Sequence, residues 1–313
     1  MRAIVTGGAG FIGSHLVDIL VADGHDVEVI DPADPVGPFP DGVKHNRCSM
    51  LTGTGAARLK TAKSKFDNTA VVYHLAGPVG PVGVLSQAGR ITPDIIAMAE
   101  KLQGFTCPVV FVSTSEVYGE QPQPVTEDRP LIVMPEPSAR REYASAKAAA
   151  EVMLQNSLRQ LRIVRPFNVA GPRQLPDGGF VLPRFIEAGL EGLPLTVYGD
   201  GSAVRAFTHV EDIARGIYLA GIQGTNGSIY NLGNEANACS IATLAAEVAA
   251  VLDAEITNVD PVELHGSAFR EAPDKVPLTA RAYSGLGWSP KHDRARVIAD
   301  AIEWWTANPG DGA

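Results

Sequence analysis

Cysteine is scarce in this chain of 313 residues, and long apolar runs are missing from it. The three cysteines, Cys48, Cys107 and Cys239, lie far apart, so they give neither a disulfide framework nor the close spacing of metal ligands. No stretch of about 20 apolar residues occurs, so we expect no transmembrane helix. The amino-terminal residues lack the charged and small-residue flanks of a signal peptide. We therefore expect a cytoplasmic protein without a metal site.

Positive charge is also in short supply. Lysine and arginine number 26 against 35 acidic residues, and the formal net charge of −9 argues against a nucleic-acid-binding surface. With 45% hydrophobic and 19% charged residues, the composition is that of a globular protein. The length suffices for one large or two modest domains.

A glycine-rich turn follows the first predicted strand. The strand covers residues 2–6, the turn reads Gly7-Gly8-Ala9-Gly10-Phe11-Ile12-Gly13, and a helix pattern (14–22) and a second strand (27–30) come next. In such a βαβ unit the glycines permit a tight turn, close approach to a pyrophosphate, and helix packing on the strand. Asp31 ends the second strand, where a carboxylate accepts hydrogen bonds from ribose hydroxyls and repels a 2′-phosphate. This pattern predicts NAD rather than NADP.

Strands and helices continue to alternate. Strands are predicted over residues 70–75, 109–113 and 161–165, and helices over 91–101 and 138–159. This alternation indicates a Rossmann-type α/β fold with a doubly wound parallel sheet. Ligands bind such sheets at the carboxyl ends of the strands, where the sequence places His74-Leu75-Ala76 and Ser113-Thr114-Ser115-Glu116. After residue 166 the chain becomes rich in Gly and Pro, which predicts a smaller, mixed α/β substrate-binding lobe.

Tyr143 and Lys147 are four residues apart in a predicted helix, so they lie on one face of it. A phenol is a poor base at neutral pH, but a neighbouring positive charge favours the phenolate and lowers the phenol's pKa. The spacing therefore predicts that Lys147 tunes Tyr143 as a base for an alcohol proton. An ordinary exposed Tyr and Lys would show the same spacing.

Several motifs together resemble the extended short-chain dehydrogenase/reductase family that modifies nucleotide sugars. They are the glycine turn, His74-Leu75-Ala76, Ser113-Thr114-Ser115-Glu116-Val117-Tyr118-Gly119, Tyr143 with Lys147, and Arg165-Pro166-Phe167-Asn168 with Gly171-Pro172-Arg173. The resemblance covers nearly the whole chain. It implies an NAD-binding domain (1–166), a nucleotide-sugar lobe (167–313) with some crossing back to the sheet, and a homodimer formed through the helices at 91–101 and 138–159.

The resemblance also implies the residues that contact the two ligands. Those implied for NAD are Gly7, Gly10, Phe11, Ile12, Gly13, Asp31, Leu75, Ala76, Ser113, Tyr143, Lys147 and Pro166. Those implied for a nucleotide sugar, which we expect to be UDP-linked, are Asn168, Arg173, Val181, Tyr198, Arg205 and Arg270. The arginines suit a diphosphate because the planar guanidinium makes paired, charge-assisted hydrogen bonds. His209, in contrast, is expected to be a structural histidine.

In this family's chemistry Tyr143 takes the proton of the sugar 4-hydroxyl, Thr114 hydrogen-bonds that oxygen, and Lys147 holds the nicotinamide ribose. The resulting 4-ketose is then decarboxylated, epimerised or dehydrated. Ser115, Glu116 and Arg205 are predicted to choose among these outcomes, and with Arg140 they resemble UDP-glucuronate decarboxylases. UDP-glucuronate 4-epimerisation and nucleotide-sugar 4,6-dehydration stay open, as does a non-catalytic NAD-binding scaffold. The Gly- and Pro-rich segment 77–90 is expected to border the sugar as a loop.

Overall fold

A computed structural model describes residues 1–65, 70–78, 80–134, 138–265 and 274–308. The described strands are β1 (Arg2–Thr6), β2 (Asp26–Ile30), β3 (Lys44–Asn46), β4 (Ala70–His74), β5 (Val109–Val112), β6 (Leu161–Pro166), β7 (Val169–Ala170), β8 (Leu195–Tyr198), β9 (Val204–Ala206), β10 (Thr208–His209), β11 (Ile229–Leu232), β12 (Ala238–Ser240) and β13 (Ile256–Val259). The described α-helices are α1 (Phe11–Ala22), α2 (Gly53–Lys65), α3 (Pro81–Ser86), α4 (Ile91–Glu100), α5 (Ala139–Ser157), α6 (Val181–Leu190), α7 (Val210–Gln223), α8 (Ile241–Leu252), α9 (Pro261–His265), α10 (Ala280–Leu286) and α11 (Arg294–Ala307).

Seven strands form one parallel sheet in the order β11-β6-β5-β4-β1-β2-β3. Its central strands are apolar on both faces, and β4 and β5 are buried along their whole length, as expected of a sheet covered by helices on both sides. The predicted doubly wound sheet is thus confirmed. Strands β3 and β11 were not predicted, and β11 brings the chain back to the sheet beside β6.

Two apolar layers cover the sheet. Helices α4 and α5 pack on one face, with Ile91, Ile95 and Leu154 among the fully buried contacts. Helices α1 and α7 pack together on the opposite face, where Leu16 and Ile217 are completely buried. None of the described helices is long and apolar enough to cross a membrane.

A smaller lobe has its own apolar core, built from α6, α8, α11 and β8. Its short strands pair both ways: β8 with β13 and β7 with β10 are parallel, whereas β9 with β12 is antiparallel. The predicted mixed lobe is therefore confirmed. In the Rossmann part, one prediction was wrong. The segment 77–90 was expected to be a loop, but helix α3 interrupts it.

Two helix starts matter for the site. Helix α1 begins at Phe11, three residues before the predicted start, because Gly10 already accepts the first helical hydrogen bond from the Ser14 N–H. Helix α5 begins at Ala139, where the Ser138 hydroxyl accepts a hydrogen bond from the Arg141 N–H at 3.2 Å. The glycine turn and the first turn of α5 are therefore both held by local hydrogen bonds.

Candidate active site

Two glycines of the turn after β1 are required by the protein's own packing. Gly7 has a φ of +74°, and a Cβ there would lie 2.6 Å from the Ala76 backbone nitrogen. A Cβ on Gly13 would lie 2.1 Å from the Gly7 carbonyl oxygen. Both positions need glycine because the backbone segments approach too closely for any side chain.

Gly10 is different, because no contact among the described residues demands glycine there. Its φ of −75° suits any residue, and an added Cβ would meet only the Gly7 carbonyl oxygen, at an ordinary 3.4 Å. Gly10 is exposed and caps the amino terminus of α1, where unpaired N–H groups and the helix dipole attract anions. The open space over Gly10 fits a pyrophosphate that touches the backbone.

Asp31 lies at the end of β2 against this turn. Its Oδ2 accepts a hydrogen bond from the Ala9 N–H at 3.1 Å, and its Oδ1 accepts one from the Ala33 N–H at 2.9 Å. Each carboxylate oxygen has a second lone pair, so the fixed carboxylate can still accept hydrogen bonds from ribose hydroxyls. The residues present therefore fit NAD at this edge of the sheet.

The ends of β4, β5 and β6 continue the predicted cofactor site. The Leu75 N–H is bonded to the Thr6 carbonyl and the Ser113 N–H to the Val164 carbonyl, which fixes both residues at the carboxyl edge together with Ala76 and Pro166. The Ser113 hydroxyl is buried and has no hydrogen-bond partner within the described residues. A buried, unsatisfied hydroxyl is uncommon, and a bound ligand would satisfy it. Of the turn's apolar residues, Ile12 packs into the core and Phe11 is half-buried.

Lys147 is buried beneath the site with 3% of its surface exposed. Its ammonium donates a hydrogen bond to the Val112 carbonyl at 2.9 Å and lies 4.9 Å from the centre of the Phe111 ring. Burial lowers the pKa of Lys147 to about 8, while the charge of Glu151 one turn further along α5 raises it. Lys147 also helps to lower the pKa of the buried His74 to about 3, mainly an effect of burial.

One prediction about Tyr143 is wrong in this structure. Burial raises the pKa of Tyr143 to about 12, and only a hydrogen bond with Thr114 opposes this increase. The Lys147 ammonium lies 6.0 Å from the centre of the phenol ring and is directed at the Val112 carbonyl instead. Tyr143, Lys147 and Thr114 do come together as predicted, but burial, rather than the charge of Lys147, determines the direction of the Tyr143 pKa.

Glu116 lies beside this group, in a short 3-10 helix (Ser115–Tyr118) that Thr114 caps through its side-chain oxygen. Arg140, at the start of α5, donates two hydrogen bonds to the Glu116 carboxylate, at 2.7 and 3.0 Å. Lys275 contacts the same carboxylate from the other side. Ser115 itself is buried. Lys275 was not predicted, because it stands outside every recognised motif and only the fold brings it here.

The backbone around Lys275 joins two predicted substrate residues. The Asn168 side-chain amide donates to the Lys275 carbonyl at 3.1 Å, and Arg205 lies opposite Lys275 in an isolated parallel bridge. The Arg205 guanidinium is buried, donates to the Val204 carbonyl at 2.8 Å and lies 3.9 Å from the Asp274 carboxylate. Thus Asn168, Arg205 and Glu116 are held around one residue.

The remaining predicted substrate residues lie elsewhere around the smaller lobe. Arg173 is engaged by Asp18 of α1, at 2.7 Å, so its predicted contact with a diphosphate stays a prediction. The Tyr198 ring is covered by the Arg184 guanidinium at 4.8 Å, and Val181 is the first residue of α6. Arg270 lies outside the described residues.

His209 is structural, as predicted. Its Nδ1 accepts a hydrogen bond from the Glu211 N–H at 3.2 Å and so caps α7. His209, Glu211 and His292 place possible metal-ligand atoms within 4.8 Å of one another. However, the capping bond leaves the hydrogen of the neutral His209 ring on Nε2, which faces Asp300 at 3.3 Å. Neither ring nitrogen of His209 then offers a lone pair to a metal.

Comparison with known proteins agrees with this geometry. A model of the "NAD dependent epimerase/dehydratase family" matches residues 3–233, so the chain belongs to this family. It is 31% identical, over 97% of each chain, to a UDP-N-acetyl-alpha-D-glucosaminuronate decarboxylase of Bacillus cytotoxicus. It is also 31% identical to UDP-glucuronic acid decarboxylase 4 of Arabidopsis thaliana, over 93% of this chain and 65% of that protein.

Among solved structures, the fold is similar to UDP-glucuronic acid 4-epimerase of Bacillus cereus in complex with UDP-glucuronic acid and NAD. The TM-score is 0.80 at 25% identity, over 98% of this chain and 99% of the other. The protein is therefore an NAD-dependent enzyme of the group of nucleotide-sugar epimerases, dehydratases and decarboxylases.

Proposed function

We propose that the enzyme decarboxylates a UDP-linked uronic acid through a transient 4-ketose, with UDP-glucuronate as the best candidate substrate. The observation that carries this proposal is the Glu116–Arg140 pair, one helical turn ahead of Tyr143. A carboxylate held rigidly by two charge-assisted hydrogen bonds stands next to the groups that would oxidise the sugar. Relatives named as uronate decarboxylases support the same outcome.

The first step would oxidise C4. The residues around Gly10 and Asp31 would hold NAD, which would supply the hydride acceptor for C4. Tyr143 takes the proton of the 4-hydroxyl while Thr114 hydrogen-bonds the same oxygen. Because burial keeps the Tyr143 phenol protonated, a cation close to the phenol has to lower its pKa before it acts as a base. Lys147, 6.0 Å from the ring centre and on the same helix face, is the candidate for this role.

The second step would release carbon dioxide. The C6 carboxylate of a 4-keto uronate is β to the ketone, so the C5–C6 bond breaks, its electrons form an enolate at C4–C5, and CO₂ leaves. C5 then takes a proton before the ketone is reduced. In this proposal Arg205 supplies positive charge for the substrate carboxylate, and Glu116, which Arg140 holds, takes part in the proton transfer.

The test is product analysis. Purified enzyme with NAD and UDP-glucuronate carrying a labelled carboxylate should release labelled CO₂ and form a UDP-pentose, as followed by NMR. UDP-N-acetylglucosaminuronate serves as a second uronate. Tyr143→Phe should bind NAD but release no CO₂, because the variant has no phenol to accept the proton; full activity in this variant would refute the mechanism.

The alternatives give different products. UDP-galacturonate without CO₂ would indicate a 4-epimerase, the activity named for the similar Bacillus cereus structure. A 4-keto-6-deoxy sugar from a neutral hexose would indicate a dehydratase, and turnover of any nucleotide sugar rejects a scaffold. The division at residue 166, a homodimer through α4 and α5, and a reducing cytoplasm that suits three unpaired cysteines also stay predictions.

A further inference from the structure

Lys275 is the one residue that contacts Glu116, the Arg205 strand and Asn168 at the same time within the described residues. We infer that Lys275 is a positioning residue for the step after C4 oxidation: it holds the Glu116 carboxylate charged and aimed beside Tyr143. This inference rests on the proposed decarboxylation and names the residue that sets its second step.

The backbone of Lys275 is fixed on one side by the smaller lobe. Its N–H donates to the Val204 carbonyl at 3.1 Å, and its carbonyl accepts from the Ala206 N–H at 3.2 Å and from the Asn168 side chain at 3.1 Å. These bonds determine where the side chain starts. A shift of Asn168 or the Arg205 strand would therefore move Lys275 with it.

The following residues are fixed on the other side by the loop that leads away from the 3-10 helix. The Val125 N–H donates to the Val276 carbonyl at 3.0 Å, and the Leu278 N–H donates to the Val125 carbonyl at 2.8 Å. The segment is thus held between the two parts of the site. Its lysine side chain is buried and contacts Glu116.

Positively charged groups surround the Glu116 carboxylate. Arg140 and Lys275 are two cations on one carboxylate, and Arg205 with its neighbour Asp274 faces the same segment. Lys275 is 7% exposed, and burial lowers its pKa to about 7, whereas the Glu116 carboxylate in contact with its ammonium favours the charged form. Arg140 donates hydrogen bonds to both oxygens of the carboxylate, whereas Lys275, from the segment bound to the smaller lobe, contacts one of them.

The test separates the two steps of the reaction. The enzyme with NAD is mixed with labelled UDP-glucuronate. The near-ultraviolet absorbance of the reduced cofactor measures the first step, and the release of labelled CO₂ measures the second. Lys275→Met should keep cofactor reduction within about threefold of wild type but slow CO₂ release about 100-fold, the usual scale of a proton-transfer contribution. Lys275→Arg should recover most of the loss, because it restores the charge. Lys60→Met, on the exposed face of α2, is the matched control.

A double-mutant cycle shows whether Lys275 acts through Glu116. The CO₂ rate of Lys275→Met with Glu116→Gln should equal that of Glu116→Gln alone, since the two residues act as one unit. The acid limb of the Lys275→Met pH–rate profile should also move to higher pH, whereas a folding defect would leave it in place. Circular dichroism and NAD affinity check that each variant is folded.

The failures are distinguishable. Wild-type enzyme that releases no CO₂ from either UDP-uronate rejects the proposed function. Wild-type enzyme that releases CO₂, combined with a Lys275→Met variant of unchanged rate, rejects the role of Lys275 alone. The role of Lys275 is also rejected if the rate losses of Lys275→Met and Glu116→Gln multiply in the double variant. It is rejected as well if a folded Lys275→Met variant loses cofactor reduction and CO₂ release equally.

Discussion

A buried ion pair behind the catalytic helix gives a sharp test of how the site is supported. Arg165 of β6 donates to both carboxylate oxygens of Glu151 on α5, at 3.0 and 2.5 Å, and both residues are at most 2% exposed. Arg165 also donates to the Tyr118 hydroxyl at 2.8 Å, which in turn donates to Asn231 at 2.7 Å. Glu151 follows Lys147 by one helical turn and raises its pKa.

We expect Arg165→Met to lower the free energy of unfolding by about 3–5 kcal/mol, because it leaves the Glu151 carboxylate buried and unpaired. A domain is typically stable by about 5–15 kcal/mol, so the loss is large. Urea unfolding followed by circular dichroism measures it directly. A loss below about 1 kcal/mol would show that water or another cation replaces Arg165 and would refute this reasoning.

The double variant Arg165→Met with Glu151→Met separates stability from catalysis. Removing both charges leaves apolar side chains of similar length, so stability should return to within about 1–2 kcal/mol of wild type. The pH profile of activity, in contrast, should remain different from that of wild type. Without Glu151 the pKa of Lys147 falls below its value of about 8, so the alkaline limb of the activity profile should move to lower pH. If the alkaline limb stayed at the same pH, the charge of Lys147 would not be what determines it.

Three further outcomes are expected. Gly10→Ala should weaken NAD binding and leave the free energy of unfolding within about 1 kcal/mol of wild type, whereas Gly13→Ala should cost about 1–3 kcal/mol because its Cβ meets backbone. The pKa of His74 is about 3 in the folded state and 6.5 in the unfolded state. The contribution of neutral His74 to the free energy of unfolding is therefore fully present above pH 6.5 and decreases as the pH falls towards 3. Between pH 8 and pH 5, wild type should lose about 2 kcal/mol more than His74→Asn in urea unfolding. Light scattering should show a dimer that Val152→Asp, at an exposed position of α5, converts to a monomer.

The parallel sheet and its cofactor edge could be predicted from sequence because both depend on local patterns. The apolar strands, the glycine turn and Asp31 follow one another within 31 residues, and each constrains its neighbours. Strand β3, three residues with a charged first position, carries no such pattern. Strand β11 could not be placed, because its pairing with β6 depends on the crossover of a whole lobe.

The charge relations within the site could not be predicted, because they depend on burial and on contacts distant in sequence. The Tyr143–Lys147 spacing was correct, yet the direction of the Tyr143 pKa was not, since spacing says nothing about desolvation. Arg173 was chosen for its motif, and only the fold shows that it pairs with Asp18, 155 residues away. Lys275 lies 159 residues from Glu116 and has no sequence signal of its own.

The two steps of the proposed reaction depend on different parts of the chain. Thr114 follows strand β5, and Tyr143 and Lys147 lie on α5, which covers one face of the Rossmann sheet where NAD is expected. Glu116 also lies there, but its charge partner Lys275 comes from a segment bound to the smaller lobe. The groups proposed for oxidation at C4 therefore all come from the Rossmann part, whereas Lys275, proposed for the later step, comes from the segment bound to the smaller lobe. Substitutions of the Lys275 segment that leave substrate binding intact should accordingly slow CO₂ release before they slow oxidation at C4.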